Sequence, residues 1–408
     1  MAPDRVRRHE ELNGHDSHLQ NGNGAHLHHL HPDRDRQRGP LQRTFWINNT
    51  EDLLRDPKQV EHLLDTADAI GITDVYLYVA PCWYVKKGAG LADFNAILNL
   101  SGVRVWAVDG DHKYVDIGGR EEEFAKGILA LNVFNESVGP EASFYGFVAN
   151  IQPEDSDLLE QDEKCFHNGV PSSKLTPEQV NKRDIWLHKW LNALTKGSAL
   201  TRSFDMPFGA AMPWWWHSYK GEQITVPWVT VGERACRTRT CIMDLIMPLI
   251  DDYIVLSHNT QPAIAIKKIM HQVRYASEKE REGQLMPQIF ASVETRKGPS
   301  ANVSYADTPR KSTKGDVLRD IESIERMMEK YPAFGGIAIH DWLGWDQLYP
   351  TGAAFLDDDS DATPTSATTE RSVSVSSCNG AKDDRSPSIA KRLDSVVRSL
   401  EGLRPSAT

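Results

Sequence analysis

Between residues 44 and 350, eight short apolar runs alternate with longer amphipathic stretches, and this alternation constrains the fold more than any other feature of the chain. The runs occupy 44–48, 73–80, 103–109, 143–152, 208–214, 252–258, 288–294 and 335–340. Several are apolar without interruption, as in Tyr253-Ile254-Val255-Leu256. A strand of that kind is buried on both faces, which a parallel sheet covered by helices requires. Eight such units predict a single α/β domain, a (β/α)8 TIM barrel over 44–350.

The intervening stretches carry helix signals. Thr176-Pro177-Glu178-Gln179 supplies an N-cap, a proline at the first helical position and a capping-box glutamine, opening a helix that the pattern carries to about Lys196. Val317, Ile321, Ile324, Met327, Met328 and Tyr331 form a helical stripe before the last strand and read as core. The stretch 221–240 fits no single helix, so a hairpin or lid is expected there.

Outside the barrel the composition changes. Residues 1–43 hold seven of the fifteen histidines and almost no β-branched or aromatic residues, too little apolar surface to offset the entropy of ordering, so a disordered His-rich leader is expected. Residues 351–388 are rich in Asp, Ser and Thr and read as a disordered linker. In 389–404, Ile389, Leu393, Val396, Val397, Leu400 and Leu403 alternate with charged residues, the pattern of a short amphipathic helix. A lone helix of that length is marginal in water, so it needs the barrel or a partner to lean on.

A net charge of -11 spread along the chain, without a basic face, argues against nucleic acid as a partner. No run of about 18 apolar residues suggests a membrane span, and no apolar segment follows the N-terminal basic residues. Cys82, Cys165, Cys236, Cys241 and Cys378 are odd in number and lack metal-type pairing, so no disulfide framework is expected. A cytoplasmic address follows as the default. Sequons at Asn48, Asn99, Asn135 and Asn302 mildly favour secretion, but about this many arise by chance.

Barrel enzymes carry their working groups at the C-terminal ends of the strands. Those ends offer Trp46 and Asn48; Tyr78, Cys82 and Trp83; Asp109, Asp111 and His112; Asn150, Gln152, Glu154 and Asp155; Trp214, Trp215, Trp216 and His217; His258 and Asn259; Glu294 and Arg296; and His340, Asp341, Trp342 and Trp345. Seven of the eleven tryptophans fall in this set. Aromatic faces for sugar C–H groups, beside Asn, His, Asp and Glu for hydroxyls, are what a carbohydrate or polyol cleft needs; a tryptophan that merely plugs the barrel top is the alternative.

Three segments carry a family resemblance. Tyr145-Gly146-Phe147-Val148-Ala149-Asn150-Ile151-Gln152 resembles the fourth strand of chitinase-type glycoside hydrolase barrels, which ends in Asp-x-Glu. Asp252-Tyr253-Ile254-Val255-Leu256-Ser257-His258-Asn259 is similar to their sixth strand, which usually closes on an aspartate. Phe334-Gly335-Gly336-Ile337-Ala338-Ile339-His340-Asp341-Trp342 resembles their eighth, where a Gly-Gly pair leads to a tryptophan at the floor of the sugar site. In that family the glutamate protonates the leaving oxygen and the aspartate orients the substrate's attacking acetamido group. Here Asn150, Gln152 and Asn259 stand at carboxylate positions, and an amide has no proton to deliver.

Three readings remain open. In the first, the barrel hydrolyses glycosidic bonds with relocated carboxylates, Glu294 and Asp341 foremost and Glu154 and Asp109 behind them; Glu294 ends an apolar strand, where desolvation would raise its pKa toward an acid's role. In the second, the barrel binds sugar without cleaving it, through Trp83, Asp109, Asn150, Gln152, Glu154, Trp214, Trp216, His258, Asn259, His340 and Trp342. The third is a metal-dependent hydrolase built on Asp109-Gly110-Asp111-His112, His258 and His340-Asp341; against it, Trp46-Ile47-Asn48 lacks the His-x-His pair common on the first strand of such barrels. No resident metal or cofactor is assigned. Lys86-Lys87-Gly88-Ala89-Gly90 lacks the framing of a phosphate loop, and the run His26 to His31 reads as low-complexity leader able to hold zinc or nickel loosely.

Overall fold

The computed structural model describes residues 40–115, 120–152, 174–216, 218–219, 222–229, 237–308 and 313–351. Most of the expected leader, the linker beyond 351, the helix expected at 389–404 and Glu154 lie outside the described residues.

The expected barrel is present. Its strands are β1 (Gln42–Ile47), β2 (Asp74–Tyr78), β3 (Arg104–Asp109), β4 (Gly146–Ala149), β5 (Phe208–Pro213), β6 (Asp252–Leu256), β7 (Gln288–Glu294) and β8 (Phe334–His340). All pair in parallel, each with its neighbours in sequence, and β8 closes on β1. The helices are α1 (Thr50–Arg55), α2 (Pro57–Ile70), α3 (Trp83–Lys86), α4 (Gly88–Leu100), α5 (Glu121–Ser137), α6 (Pro177–Ser203), α7 (Ile242–Ile246), α8 (Pro262–Arg281), α9 (Lys314–Met328) and α10 (Trp342–Asp346). Among the described residues no helix is long and apolar enough to cross a membrane.

Side-chain alternation along the strands divides the core in two. Trp46, Tyr76, Trp106, Val148, Ala211, Ile254, Phe290 and Ala338, one from each strand, pack with Val108 in the barrel interior. Their strand neighbours, among them Phe45, Leu77, Ala107, Phe147, Tyr253, Ala291 and Ile339, face the helices in the larger outer core. At the N-terminal face, buried Asp74 accepts hydrogen bonds from Arg104 Nη2 and Trp106 Nε1, both at 2.8 Å. Arg43 grips both oxygens of Glu325 on α9, at 2.7 and 2.6 Å. These ties hold the end of the barrel opposite the site.

The Gly335-Gly336 pair has a local cause. Gly336 has φ +144°, and a Cβ there would lie 1.9 Å from the Gln42 carbonyl oxygen. The register of β7 against β8 slips at the same point, Ile289 facing Phe334 while Phe290 faces Gly336. Only glycine accommodates both the conformation and the approach of β1.

Thr176 forms the expected capping box with Gln179, and α6 continues past Lys196 to Ser203. Val317, Ile321, Ile324 and Met328 are buried on α9, but Met327 is 52% exposed and leaves the expected stripe. Within the stretch read as a hairpin or lid, Thr225–Val229 pairs antiparallel with Arg237–Cys241. Strand four, Gly146–Ala149, is shorter than its apolar run, and the Tyr145 amide on the Val105 carbonyl at 2.7 Å and the Asn150 amide on the Asp109 carbonyl at 3.0 Å extend its ladder by one residue at each end. Although no disulfide framework was expected, Cys82 is disulfide-bonded, while Cys241 is a free thiol. Spatial proximity decides such pairing, and sequence spacing does not carry it.

Candidate functional site

Two residues beyond the interior layer, the alternation brings the next side chains to the C-terminal mouth: Asn48, Tyr78, Asn150 and His340, with Ser292 and Glu294 in turn on β7. Glu294 and His340 are direct register partners across β7 and β8. Their contact is the centre of the site.

Glu294 is 1% exposed, and its carboxylate gathers partners from three directions. Oε2 accepts from His340 Nδ1 at 2.9 Å and from Arg296 Nη2 at 3.1 Å, and Nδ1 of His258 lies 3.7 Å away. Oε1 accepts from the Arg296 amide at 2.8 Å and from Arg296 Nε at 3.2 Å. Burial pushes this carboxyl upward, but His340, His258 and Arg296 outweigh that push and hold it at about 2. The expectation of a raised pKa at Glu294 is therefore corrected. The desolvated strand end is real, but of the partners that ionise the carboxylate only Arg296 is its neighbour in sequence; His340 and His258 come from the flanking strands.

The His258 ring lies nearly parallel to that of His340, centroids 5.5 Å apart. Burial lowers His258 to about 3 despite the opposing pull of Glu294, so its imidazole is neutral at neutral pH. Its Nε2 is 2.9 Å from the Ser292 hydroxyl, and its carbonyl accepts from Lys268 Nζ on α8 at 2.7 Å. Ser257 Oγ bonds both the amide and the carbonyl of Ser292, fixing the end of β6 against β7. Below His340, Trp46 presents its ring edge-on at 5.6 Å. Since ionised Glu294 can only accept, Nδ1 of His340 carries the hydrogen of their bond, and no described residue bonds its Nε2.

The other sequence-derived candidates divide between mouth and wall. Gln152 Nε2 donates to Asn150 Oδ1 at 2.9 Å, so the two amides at family carboxylate positions bond each other, partly exposed. Trp83 is half-buried beside Tyr78 and beneath the Lys87 ammonium, 4.2 Å from its ring. Half-buried Trp214 has Lys268 5.6 Å from its ring and accepts from Gln272 Nε2 through its carbonyl.

Placement in the mouth is corrected for four others, and a fifth, Asp341, is tied up in structural hydrogen bonds. Asp109 has the opposite parity to Val108 and faces the helices, its oxygens accepting from Tyr114 Oη at 2.9 Å and the Gly110 amide at 2.8 Å. Burial raises it to about 6. Trp216 is fully buried against Trp190 of α6, at 4.4 Å. Trp342, expected at a sugar-site floor, packs edge-on to outward-facing Phe45 at 5.4 Å. Asn259 accepts from the Gln261 amide at 3.0 Å and shapes the turn into α8. Asp341 is buried and committed on both oxygens, capping α10 through the Gly344 amide at 2.9 Å and holding Asn48 Nδ2 at 3.0 Å.

His258, Glu294 and His340 offer ligand atoms all within 4.8 Å of one another, a set that can hold a metal ion. Sequence reasoning named each of the three without joining them, although strands six, seven and eight are neighbours in any such barrel. Ser292 and Lys268 were missed; the period of two that places Ser292 beneath Glu294 was the available signal for the first.

No family model matches the chain, and no curated protein does either. Solved structures with a similar fold include a sugar phosphate isomerase/epimerase from Parabacteroides distasonis (11% identity, 75% of this chain and 90% of that one, TM-score 0.34). They also include a GH18 chitinase from Cycas revoluta in complex with (GlcNAc)3 (10%, 74% and 95%, TM-score 0.37). A chitinase from Chromobacterium violaceum is a third (8%, 75% and 98%, TM-score 0.37). With identities and TM-scores this low, the likenesses carry no argument about this chain.

Proposed function

We propose that the barrel acts on a carbohydrate or another polyol at its C-terminal mouth, with His340 moving the proton and Glu294 orienting it. The 2.9 Å contact between Nδ1 of His340 and Oε2 of Glu294 carries this reading. A buried, ionised carboxylate fixes the ring and leaves Nε2 for a substrate hydroxyl, the division of labour by which a carboxylate positions a catalytic histidine. Asn48, Asn150, Gln152 and the half-buried tryptophans Trp83 and Trp214 supply the hydrogen-bonding and stacking groups for a sugar. Hydrolysis of a glycosidic bond remains the reaction proposed, with one change: Glu294, held ionised, does not serve as the general acid; Nε2 of His340 takes a proton from the attacking water and, as the imidazolium, returns it to the leaving oxygen.

A non-catalytic sugar-binding barrel is the second reading, favoured by the mutual hydrogen bond of Asn150 and Gln152 where a chitinase-type site places its acids. Titrating oligosaccharides and polyols against tryptophan fluorescence, beside turnover of aryl glycosides, separates the two. Binding with turnover supports the enzyme. Binding without turnover supports the binder, and binding of none of these ligands at millimolar concentration overturns both.

A further inference from the structure

We propose that His258, Glu294 and His340 form the binding site of one divalent first-row transition ion. The proposal rests on the reading of this mouth as the working end of the barrel, but it competes with proton transfer by His340, because the ion would take the Nδ1 contact on which that transfer depends. The three side chains come from the ends of consecutive strands β6, β7 and β8, and their ligand atoms already lie within 4.8 Å of one another. Glu294 Oε2 stands 2.9 Å from Nδ1 of His340 and 3.7 Å from Nδ1 of His258. An ion with bonds of about 2.0 to 2.2 Å sets its ligand atoms roughly 3 to 3.5 Å apart. These two spacings straddle that range, and the third, between the two imidazoles, is within 4.8 Å, so side-chain adjustment of an ångström or so closes the site.

The surroundings are also those of a metal site. A ligating histidine generally has its other ring nitrogen held by an outer partner, and the Ser292 hydroxyl stands 2.9 Å from Nε2 of His258 while Nδ1 faces Glu294. Arg296 holds Oε1 through its amide and Nε, which aims Oε2 at the two rings. Two imidazoles and one carboxylate suit zinc, iron, cobalt, nickel or manganese, whereas magnesium and calcium favour all-oxygen sets. Three protein ligands leave positions open for water or a substrate hydroxyl, which the ion would polarise. Binding needs no net proton release from His340: its hydrogen passes from Nδ1 to Nε2 as the ion takes the place of the hydrogen bond to Glu294.

The test uses the full chain, together with a full chain in which all seven leader histidines, His9, His15, His18, His26, His28, His29 and His31, are replaced by Gln, so that the leader cannot supply the signal. Zinc and cobalt are titrated by calorimetry and by visible absorption. The expected result is one equivalent per chain in both proteins. Affinity should fall at least roughly 100-fold in His258→Ala and in Glu294→Gln, and about 10-fold in Ser292→Ala. Anomalous scattering from zinc-soaked crystals of the unmodified protein covers the case of a variant that fails to fold. A zinc peak among the three side chains is expected. Zinc binding that disappears with the leader histidines, or no peak among the three side chains, overturns the proposal. Sugar binding by protein that holds no ion at this site leaves the reading of the mouth standing and removes only the metal; an ion bound without any sugar affinity does the reverse.

Discussion

Glu294 and His340 face each other in register on β7 and β8, and Oε2 of the first accepts a hydrogen bond from Nδ1 of the second at 2.9 Å. The pair is thus a consequence of barrel closure: with the two strands set in parallel at this register, an acid and an imidazole meet at the mouth without help from any loop. His258 and Arg296 complete the surroundings, and the buried carboxylate exchanges hydration for hydrogen bonds from His340 and Arg296, with His258 3.7 Å away.

Replacing Glu294 by Gln keeps the shape of this cluster and removes its charge. Arg296 and His340 would then face a neutral acceptor, and we expect a loss of about 1 to 3 kcal/mol in urea unfolding, the range for a buried hydrogen bond to a charged group. An unchanged midpoint would mean that solvent, and not the carboxylate, satisfies Arg296 and His340.

Asp109 gives a pH dependence with a definite sign. Burial raises its folded pKa to about 6, above the value of about 3.9 expected for the unfolded chain. The folded state therefore holds this proton more tightly, and the Asp109 contribution to stability falls as pH rises from about 4 to about 6, then levels off. Asp109→Asn should match the parent near pH 4 and exceed it by roughly 1 to 3 kcal/mol at pH 7 to 8. Equal stability at both pH values would refute the assignment.

Gly336→Ala places a Cβ 1.9 Å from the Gln42 carbonyl oxygen at φ +144°. The strained conformation and the forced separation of β1 from β8 together should cost roughly 3 kcal/mol or more. A thermal midpoint within a degree or two of the parent would show that the strands yield there easily.

The disulfide at Cys82 leaves at most three of the five cysteines reactive in denatured, unreduced protein. Thiol titration should find three or fewer, and five once a reductant has acted; five before reduction would contradict the bond.

The eight strands and the capping box at Thr176 were legible in the sequence because continuous apolar runs and a cap signal are local. Which residues reach the mouth was not. Parallel strands covered by helices are apolar on both faces, so Val108 and Asp109, or Ala338 and Ile339, give no sign of which parity points inward. Strand-end position alone put Asp109, Trp216 and Trp342 in the mouth, and packing against Tyr114, Trp190 and Phe45 places them in the wall. Glu294 was legible as a desolvated carboxylate. Its ionisation depends largely on His340, 46 residues away, and that contact follows only from the register of two strands.

The most direct test of the account is steady-state turnover of His340→Ala beside the parent protein on a panel of aryl glycosides. If His340 moves the proton and Glu294 orients it, kcat should fall by roughly 10² or more in His340→Ala, with KM changed by only a few-fold. Turnover by His340→Ala equal to that of the parent would contradict the account.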